Sequence, residues 1–265
     1  MHMSTSPSRS AHGWRELFIL LVQRNIKIRY KNSSLGFFWS LLSPLFLIVI
    51  YSVFLGLMKF SVHLPSLVTG IFVWQFLALC AGDSLHAILG NSNLIKKTAF
   101  PRILLPGAMV GANLCNFALS LLVLGAYLAL AGAFRPGPGL ALLPLLVLTQ
   151  TALCLGLALL LSTANVFFRD TEHVFGMMMM AWFFMTPVLY PVTLVTDRFA
   201  ARPGLLALYF LNPMAGLISG YRRCLLGATE VPWSALWPSI LMAWLMAMAG
   251  FAVFRRVQHR FAEEL

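Results

Sequence analysis

The chain alternates long apolar runs with short polar breaks. From Leu35 to Met58 it reads LGFFWSLLSPLFLIVIYSVFLGLM, without one charged residue. Comparable runs cover Leu64–Gly90, Ile103–Ala133, Gly139–Ala164, Val174–Val195 and Val231–Phe254. A helix needs about 20 mainly apolar residues to cross the hydrocarbon of a bilayer, so these runs predict six transmembrane helices. The stretch Pro203–Tyr221 is different. It is apolar, but Gly204, Asn212-Pro213, Gly216 and Gly220 interrupt it. It is expected to enter the membrane and turn back, which is tolerated only beside protein or a water-filled path.

Ahead of the first run lies HGWRELFILLVQRNIKIRYK. On a helix, Trp14, Leu17, Phe18, Leu21 and Ile28 share one face, and Glu16, Gln23, Arg24, Lys27 and Lys31 share the opposite one. An apolar stripe with a basic back and a tryptophan predicts a helix lying in the membrane interface. A mere extension of the first span would put costly charges into hydrocarbon. The fold class is therefore an all-α integral membrane protein. It has six transmembrane helices, an N-terminal interfacial amphipathic helix and an external re-entrant element between spans five and six. The expected divisions are a disordered N-terminus over 1–11, the interfacial helix over 12–33, the membrane domain over 34–258 and a polar tail over 259–265. No secretory signal is expected, because the first apolar run is too long and starts too late.

Composition supports the membrane class: 60% of the 265 residues are hydrophobic and 10% charged, against roughly 25% charged in soluble domains. The net charge of +11 does not point to nucleic acid, since no basic reading helix or basic-aromatic groove accompanies it. It orients the chain instead. With six spans, one side holds the N-terminal arginines and lysines, Lys96, Lys97, Arg102, Arg169 and the basic residues after Phe254. That side carries thirteen of the 19 basic residues, which predicts both termini in the cytoplasm.

Catalytic signatures are absent. The sequence has no GxxxxGK[ST] phosphate loop, no HExxH, no GxSxG and no cluster of metal-ligating residues. Cys80, Cys115, Cys154 and Cys224 form no CxxC pair and read as small apolar residues. Asp83 is the one acid well inside a span, with His86 a turn away. They could begin a proton relay. The preferred reading is an acid near the membrane end, solvated or paired with a basic group.

The segment NSNLIKKTAFPRILLP (91–106) is short, basic and proline-broken, between two spans. Together with RNIKIRYKNSSLGFFWSLLSPL (24–45), ANVFFRDTEHVF (164–175), MTPVLYP (185–191) and LNPMAGLISGYR (211–222), in that order, it resembles the membrane subunit of type-2 ABC exporters for lipid-linked polysaccharide. This is the O-antigen and teichoic-acid transport permease family. The resemblance covers nearly the whole chain after about residue 12.

The resemblance implies that the first cytoplasmic loop couples to an ATPase subunit through Asn91, Asn93, Lys96, Lys97, Phe100, Pro101 and Arg102. Asn91 and Asn93 can cap a short helix, Lys96 and Lys97 can meet an acidic cleft, and Pro101 can stop the helix. Lys96 and Lys97 can equally serve topology alone. Trp14, Arg24, Lys27, Arg29 and Tyr30 belong to the interfacial helix, and Arg169 with Asp170 to the next cytoplasmic loop. Pro187, Tyr190, Pro191, Asn212 and Pro213 fall where the family closes its outer mouth. Phe37, Phe38, Trp39, Tyr51 and Trp74 are channel candidates, since aromatic faces stack on sugars, although interfacial anchoring accounts for aromatics as well. The run Met177–Met180 reads as flexible packing.

The function so implied is the permease half of an ATP-driven exporter that moves lipid-linked polysaccharide across a bacterial inner membrane. Its partners would be a second copy of itself, two ATP-binding subunits, the lipid-linked glycan and membrane lipids. The chain itself would bind no cofactor, with ATP and Mg on the ATPase subunits. The alternatives are a same-fold exporter of capsule polysaccharide, drugs or small lipids and, from another class, a membrane enzyme acting on lipid-linked sugars.

Overall fold

The apolar runs fold into helices in a computed structural model that describes residues 7–29, 31, 38–58, 63–98, 100–135, 137–228 and 233–265. The order is α1 (Pro7–Arg29), α2 (Trp39–Met58), α3 (Leu64–Leu85), α4 (Ser92–Lys97), α5 (Leu104–Leu130) and α6 (Leu143–Phe167). Then follow α7 (Thr171–Met185), α8 (Thr193–Arg198), α9 (Pro203–Phe210), α10 (Pro213–Leu226), α11 (Trp233–Val257) and α12 (Phe261–Glu264). Helix α1 starts at Pro7, inside the stretch expected to be a disordered N-terminus; residues 1–6 lie outside the described ones.

Four helical segments are long and apolar enough to cross a bilayer: Leu64–Leu85, Leu104–Leu130, Pro138–Phe167 and Leu236–Arg260. Helices α9 and α10 pass the same test as a pair, bent by 86° at the break between them. Helix α2 contributes a shorter apolar stretch, Leu42–Phe54. The expected fifth span, Val174–Val195, is not one helix. Helix α7 has 15 residues, about 22 Å, short of the roughly 30 Å hydrocarbon core. Its stop is local chemistry. Pro187 disfavours helical backbone at the residue before it, and Thr186 is extended at φ −104°, ψ 141°.

Burial decides which helices form the centre. In α3 and in the α6 segment, 67% and 61% of the most apolar window is buried, against 22% in α5 and in Leu236–Arg260. Helix α10 joins the centre, packed against α3, α6 and α11, with nearly every residue from Pro213 to Leu225 buried. Asn212 starts α10 by accepting a hydrogen bond from the Met214 N–H at 3.1 Å, with Pro213 at the first helical position. Gly227, at φ 66°, ends it, since the left-handed region favours glycine.

Small residues set the closest helix contact. A Cβ on Gly156 of α6 would lie 2.6 Å from Ala247 Cα, and one on Gly250 of α11 only 2.3 Å from the Gly156 carbonyl oxygen. The two backbones therefore touch, as small residues allow in lipid. Buried amides add specificity: Gln150 Nε2 donates to Val73 O at 2.7 Å, and Asn165 Nδ2 to Leu85 O at 2.8 Å. Each converts an expensive buried polar group into a tie from α6 to α3.

One end of the bundle has its own apolar cluster. Leu21, Ile88, Ile95, Leu105, Leu159, Val166, Phe254 and Phe261 bury one another there. Residues from α1, α4, α5, α6, α11 and α12 meet in it, so α1 and the C-terminal segment share one end. Residues 259–265, expected to form a tail, fold back: Phe261 is fully buried and packs edge-on against Phe254.

Candidate functional site

Two regions gather the residues singled out in the sequence, one at each end of the bundle. The first is the loop between α3 and α5. After α3 the chain makes a 3-10 turn over Leu89–Asn91 and enters α4. Ile95 points into the end cluster, while Asn93, Lys96 and Lys97 are exposed. The loop therefore presents a basic outer face on an apolar seat. Phe100 packs against the cluster, and Pro101 is exposed beyond the end of α4. The Arg102 guanidinium donates to the Gln258 carbonyl oxygen, tying the loop to the C-terminal segment.

The asparagines do not cap as expected. Asn91 occupies the N-cap position of α4, but its side chain makes no cap bond. Asn91 Nδ2 donates to Ala87 O at 2.9 Å, and its Oδ1 accepts from Arg24 Nη2 at 2.8 Å. The stronger charged donor claims the oxygen that a cap would use. Asn93 lies inside α4, where it cannot cap.

Helix α1 packs along α5, where Phe18 and Val22 sit over Gly107 and Gly111. Trp14 is half-buried, whereas Ile28, expected on the apolar stripe, is exposed. The basic back is divided. Lys27 and Lys31 are exposed, but Arg24 reaches Asn91. Arg29 forms an ion pair with Asp83 and donates to Asn113 Oδ1 at 2.8 Å. Asn113 Nδ2 closes the triangle on Asp83 Oδ2 at 2.8 Å. Asp83 is thus paired with a basic group, as preferred from the sequence. His86 goes elsewhere, to Glu172 on α7 at 3.4 Å, so the two do not form a relay. Tyr30 lies outside the described residues. Arg169 and Asp170 are exposed at the turn into α7, and Asp170 occupies its N-cap position without a side-chain cap bond.

The second region joins the end of α7 to the bend between α9 and α10. Asn212 Oδ1 accepts from Trp182 Nε1 at 2.8 Å, and Asn212 Nδ2 donates to Thr186 Oγ1 at 2.9 Å. Thr186 Oγ1 in turn donates to Trp182 O at 2.7 Å. Pro187 and Pro213 are buried beside this network, and Pro191 is half-buried. The Tyr190 and Tyr209 hydroxyls are 3.4 Å apart. The sequence brought Pro187, Tyr190, Pro191, Asn212 and Pro213 forward, and the structure gathers them at one end.

Two further members escaped the sequence reading. Arg222, the last residue of the block 211–222 and given no role there, is 3% exposed. Its guanidinium donates to Ser66 O at 3.0 Å, Val188 O at 2.9 Å and Tyr190 O at 3.3 Å. Ser239 Oγ lies 2.6 Å from Phe210 O and 3.0 Å from Asn212 O, sharing one proton between two carbonyls at the bend. The available signals were weak: an arginine one step beyond a glycine-broken helix, and a lone serine inside an apolar run.

The aromatic candidates separate. Trp74 is a buried core ring, edge-on to Trp182 at 5.9 Å and to Phe183 at 5.4 Å. Tyr51 is half-buried against the same core. Phe38 and Trp39 are exposed at the start of α2. Trp39 borders a cavity of about 500 Å³ that Gln75, Asp83, Asn113 and Asn116 also line. Phe37 lies outside the described residues. Met177, Met178 and Met180 are exposed, and so is Cys115, unlike the three buried cysteines. Among the described residues no group of three or more His, Cys, Asp or Glu could hold a metal ion.

Comparison with known proteins places this arrangement. Residues 16–226 match the family described as ABC-2 type transporter. The chain is 34% identical over 268 residues to the O-antigen export system permease protein RfbA of Myxococcus xanthus, covering 97% of this chain and 98% of that protein. It is 29% identical over 255 residues to the protein of the same name from Klebsiella pneumoniae, covering 94% of this chain and 95% of that one.

Proposed function

The chain belongs to the ABC-2 type transporter membrane family, and from that premise we propose that it is the permease half of an exporter for lipid-linked O-antigen polysaccharide. The observation that carries the cargo is its near full-length similarity to two O-antigen export permeases. In this reading two copies enclose the pathway, and two separate ATPase subunits supply energy. The Asn91–Arg102 loop faces the cytoplasm and receives the ATPase through the exposed Lys96 and Lys97. Both termini are then cytoplasmic, in a multi-pass protein of the bacterial inner membrane. The proline-rich network around Thr186, Tyr190 and Asn212 closes the opposite, external mouth.

The chemistry supports this division of labour. A docking loop must be accessible yet firmly seated, and α4 has lysines outside and Ile95 buried beneath them. A mouth that passes a polymer must close without unpaired backbone polar groups. Arg222 satisfies three carbonyls there, and Asn212 joins α7 to the α9–α10 bend. ATP hydrolysis belongs to the partner subunit, which holds ATP and Mg.

Deletion of the chain tests the reading. The glycan should still be assembled on its lipid carrier but accumulate on the cytoplasmic leaflet, and a plasmid-borne copy should restore surface display. Unchanged surface glycan in the deletion strain refutes the assignment. Loss of small-lipid or drug efflux instead would transfer the chain to the alternative cargo.

A further inference from the structure

We propose that α11, extended by the Gln258–Arg260 turn and α12, is the rod that carries movement of the Asn91–Arg102 loop to the closure at Thr186 and Asn212, with Phe261 and Ser239 as positioning residues at its ends. The inference rests on the reading that this loop receives the ATPase and that the Thr186–Asn212 network closes the mouth.

The lower joint has a polar and an apolar part. Arg102 donates to the Gln258 carbonyl, one residue past the end of α11. Phe254 of α11 and Phe261 of α12 are both fully buried, with ring centroids 5.4 Å apart. They belong to the cluster that buries Ile95 of α4. Phe261 also packs on Phe167 at 6.1 Å, with the Arg260 guanidinium over that ring at 5.8 Å. A push on α4 thus meets packed side chains that belong to the end of α11. Close-packed interiors transmit strain rather than absorb it.

The shaft is a 25-residue helix. From Ser239 to Phe254 it spans about 22 Å. Over this length Gly156 and Gly250 bring α6 and α11 into backbone contact. Sliding would bring the side chains of neighbouring positions against the opposite backbone, where there is no room for a Cβ, so α11 shifts with α6 as one body.

The upper joint falls on the bend itself. Ser239 Oγ is hydrogen-bonded to Phe210 O and Asn212 O, the last residue of α9 and the N-cap of α10. A Cβ on Gly216 would lie 2.3 Å from Ser239 Cβ, so α10 presses directly on α11 at this point. Asn212 passes the displacement to Trp182 and Thr186 through its side chain. Helix α3 also runs between the two ends and meets the closure through Ser66, whose carbonyl Arg222 holds, and through Trp74, whose ring lies edge-on to Trp182. It is the competing route.

The test uses the complex with its ATPase subunit in proteoliposomes, with the four native cysteines replaced and a reporter placed by Leu189→Cys. Labelling by an impermeant maleimide is measured with and without ATP. The parent should show a nucleotide response of about five-fold or more, the low end of ordinary coupling. Ser239→Ala should reduce that response to below about two-fold while ATP hydrolysis stays near the parent rate. Phe261→Ala should reduce it likewise, and Phe261→Leu, which restores apolar bulk, should recover it. Loss of stability alone would lower hydrolysis and response together, which would overturn the proposal, as would a full response in both alanine variants. The latter would leave α3 as the route and the functional reading intact. Absence of any response in a parent that exports would sink both. Should Phe261→Ala fail to assemble, Ser239→Ala decides the question by itself.

Discussion

Arg29 on α1 and Asp83 on α3 form an ion pair between residues 54 positions apart in sequence, with Asn113 of α5 bonded to both. This triangle fastens the N-terminal helix to two membrane helices at once. The two side chains keep 28% and 34% of their surface exposed, so solvent screens the pair and its worth is about 1 kcal/mol. Arg29→Gln or Asp83→Asn should lower the melting temperature by about 2–4 °C. The double variant should lose less than the sum of the singles. Additive losses, read by thermal unfolding in detergent, would mean the two side chains act independently.

Lys96 and Lys97 face outward from a helix whose inner residue, Ile95, is 6% exposed. Replacing both lysines with glutamate changes the partner surface and leaves the seat untouched. Export should fall by at least about ten-fold, equivalent to about 1.4 kcal/mol of lost coupling, while the protein still inserts and purifies. Full export together with full substrate-stimulated hydrolysis would remove these lysines from the ATPase contact.

At the other end, Tyr190 is half-buried, with its hydroxyl 3.4 Å from that of Tyr209 and its carbonyl held by Arg222. Tyr190→Ala removes the ring but keeps the carbonyl tie. It should raise ion leak in reconstituted vesicles with little change in stability. Arg222→Met instead leaves three carbonyls without that donor. It should cost about 1.5–3 kcal/mol, the range for hydrogen bonds to a charged group, and loosen the same mouth. Vesicles as tight as the parent's in both variants would place Tyr190 in packing alone.

The bend of 86° between α9 and α10 fits a re-entrant pair or one broken span, and labelling separates the two. If that pair enters and leaves on one side, single cysteines at Asp197 and Ala228 should both react with an impermeant reagent from outside intact cells. One at His259 should react only after permeabilisation. Protection at Ala228 with labelling at Asp197 would mean that the pair crosses.

Much of this architecture was legible in the chain, for a local reason. A segment that must satisfy its backbone within lipid has few choices besides a helix, so apolar length alone located α3, α5, α6 and α11. Asn212-Pro213 encodes a cap and a first turn in two residues, which is why the bend was visible. Pro187 likewise forces extended backbone at Thr186, although the sequence reading carried span five through it. Tertiary structure decided the rest. In an apolar chain the lipid-facing and core-facing positions carry the same kinds of side chain. Hydropathy therefore could not tell that Trp74 is core or that Phe261 folds inward. Nor could it tell that α10 is central while α7 is peripheral. The partners of polar residues were hidden for a related reason. Arg222, Arg29 and Asn91 are each defined by a carbonyl, carboxylate or guanidinium dozens of residues away. Whether a charge is a solvated loop marker or a buried tie depends on partners that only the packed helices bring within hydrogen-bonding distance.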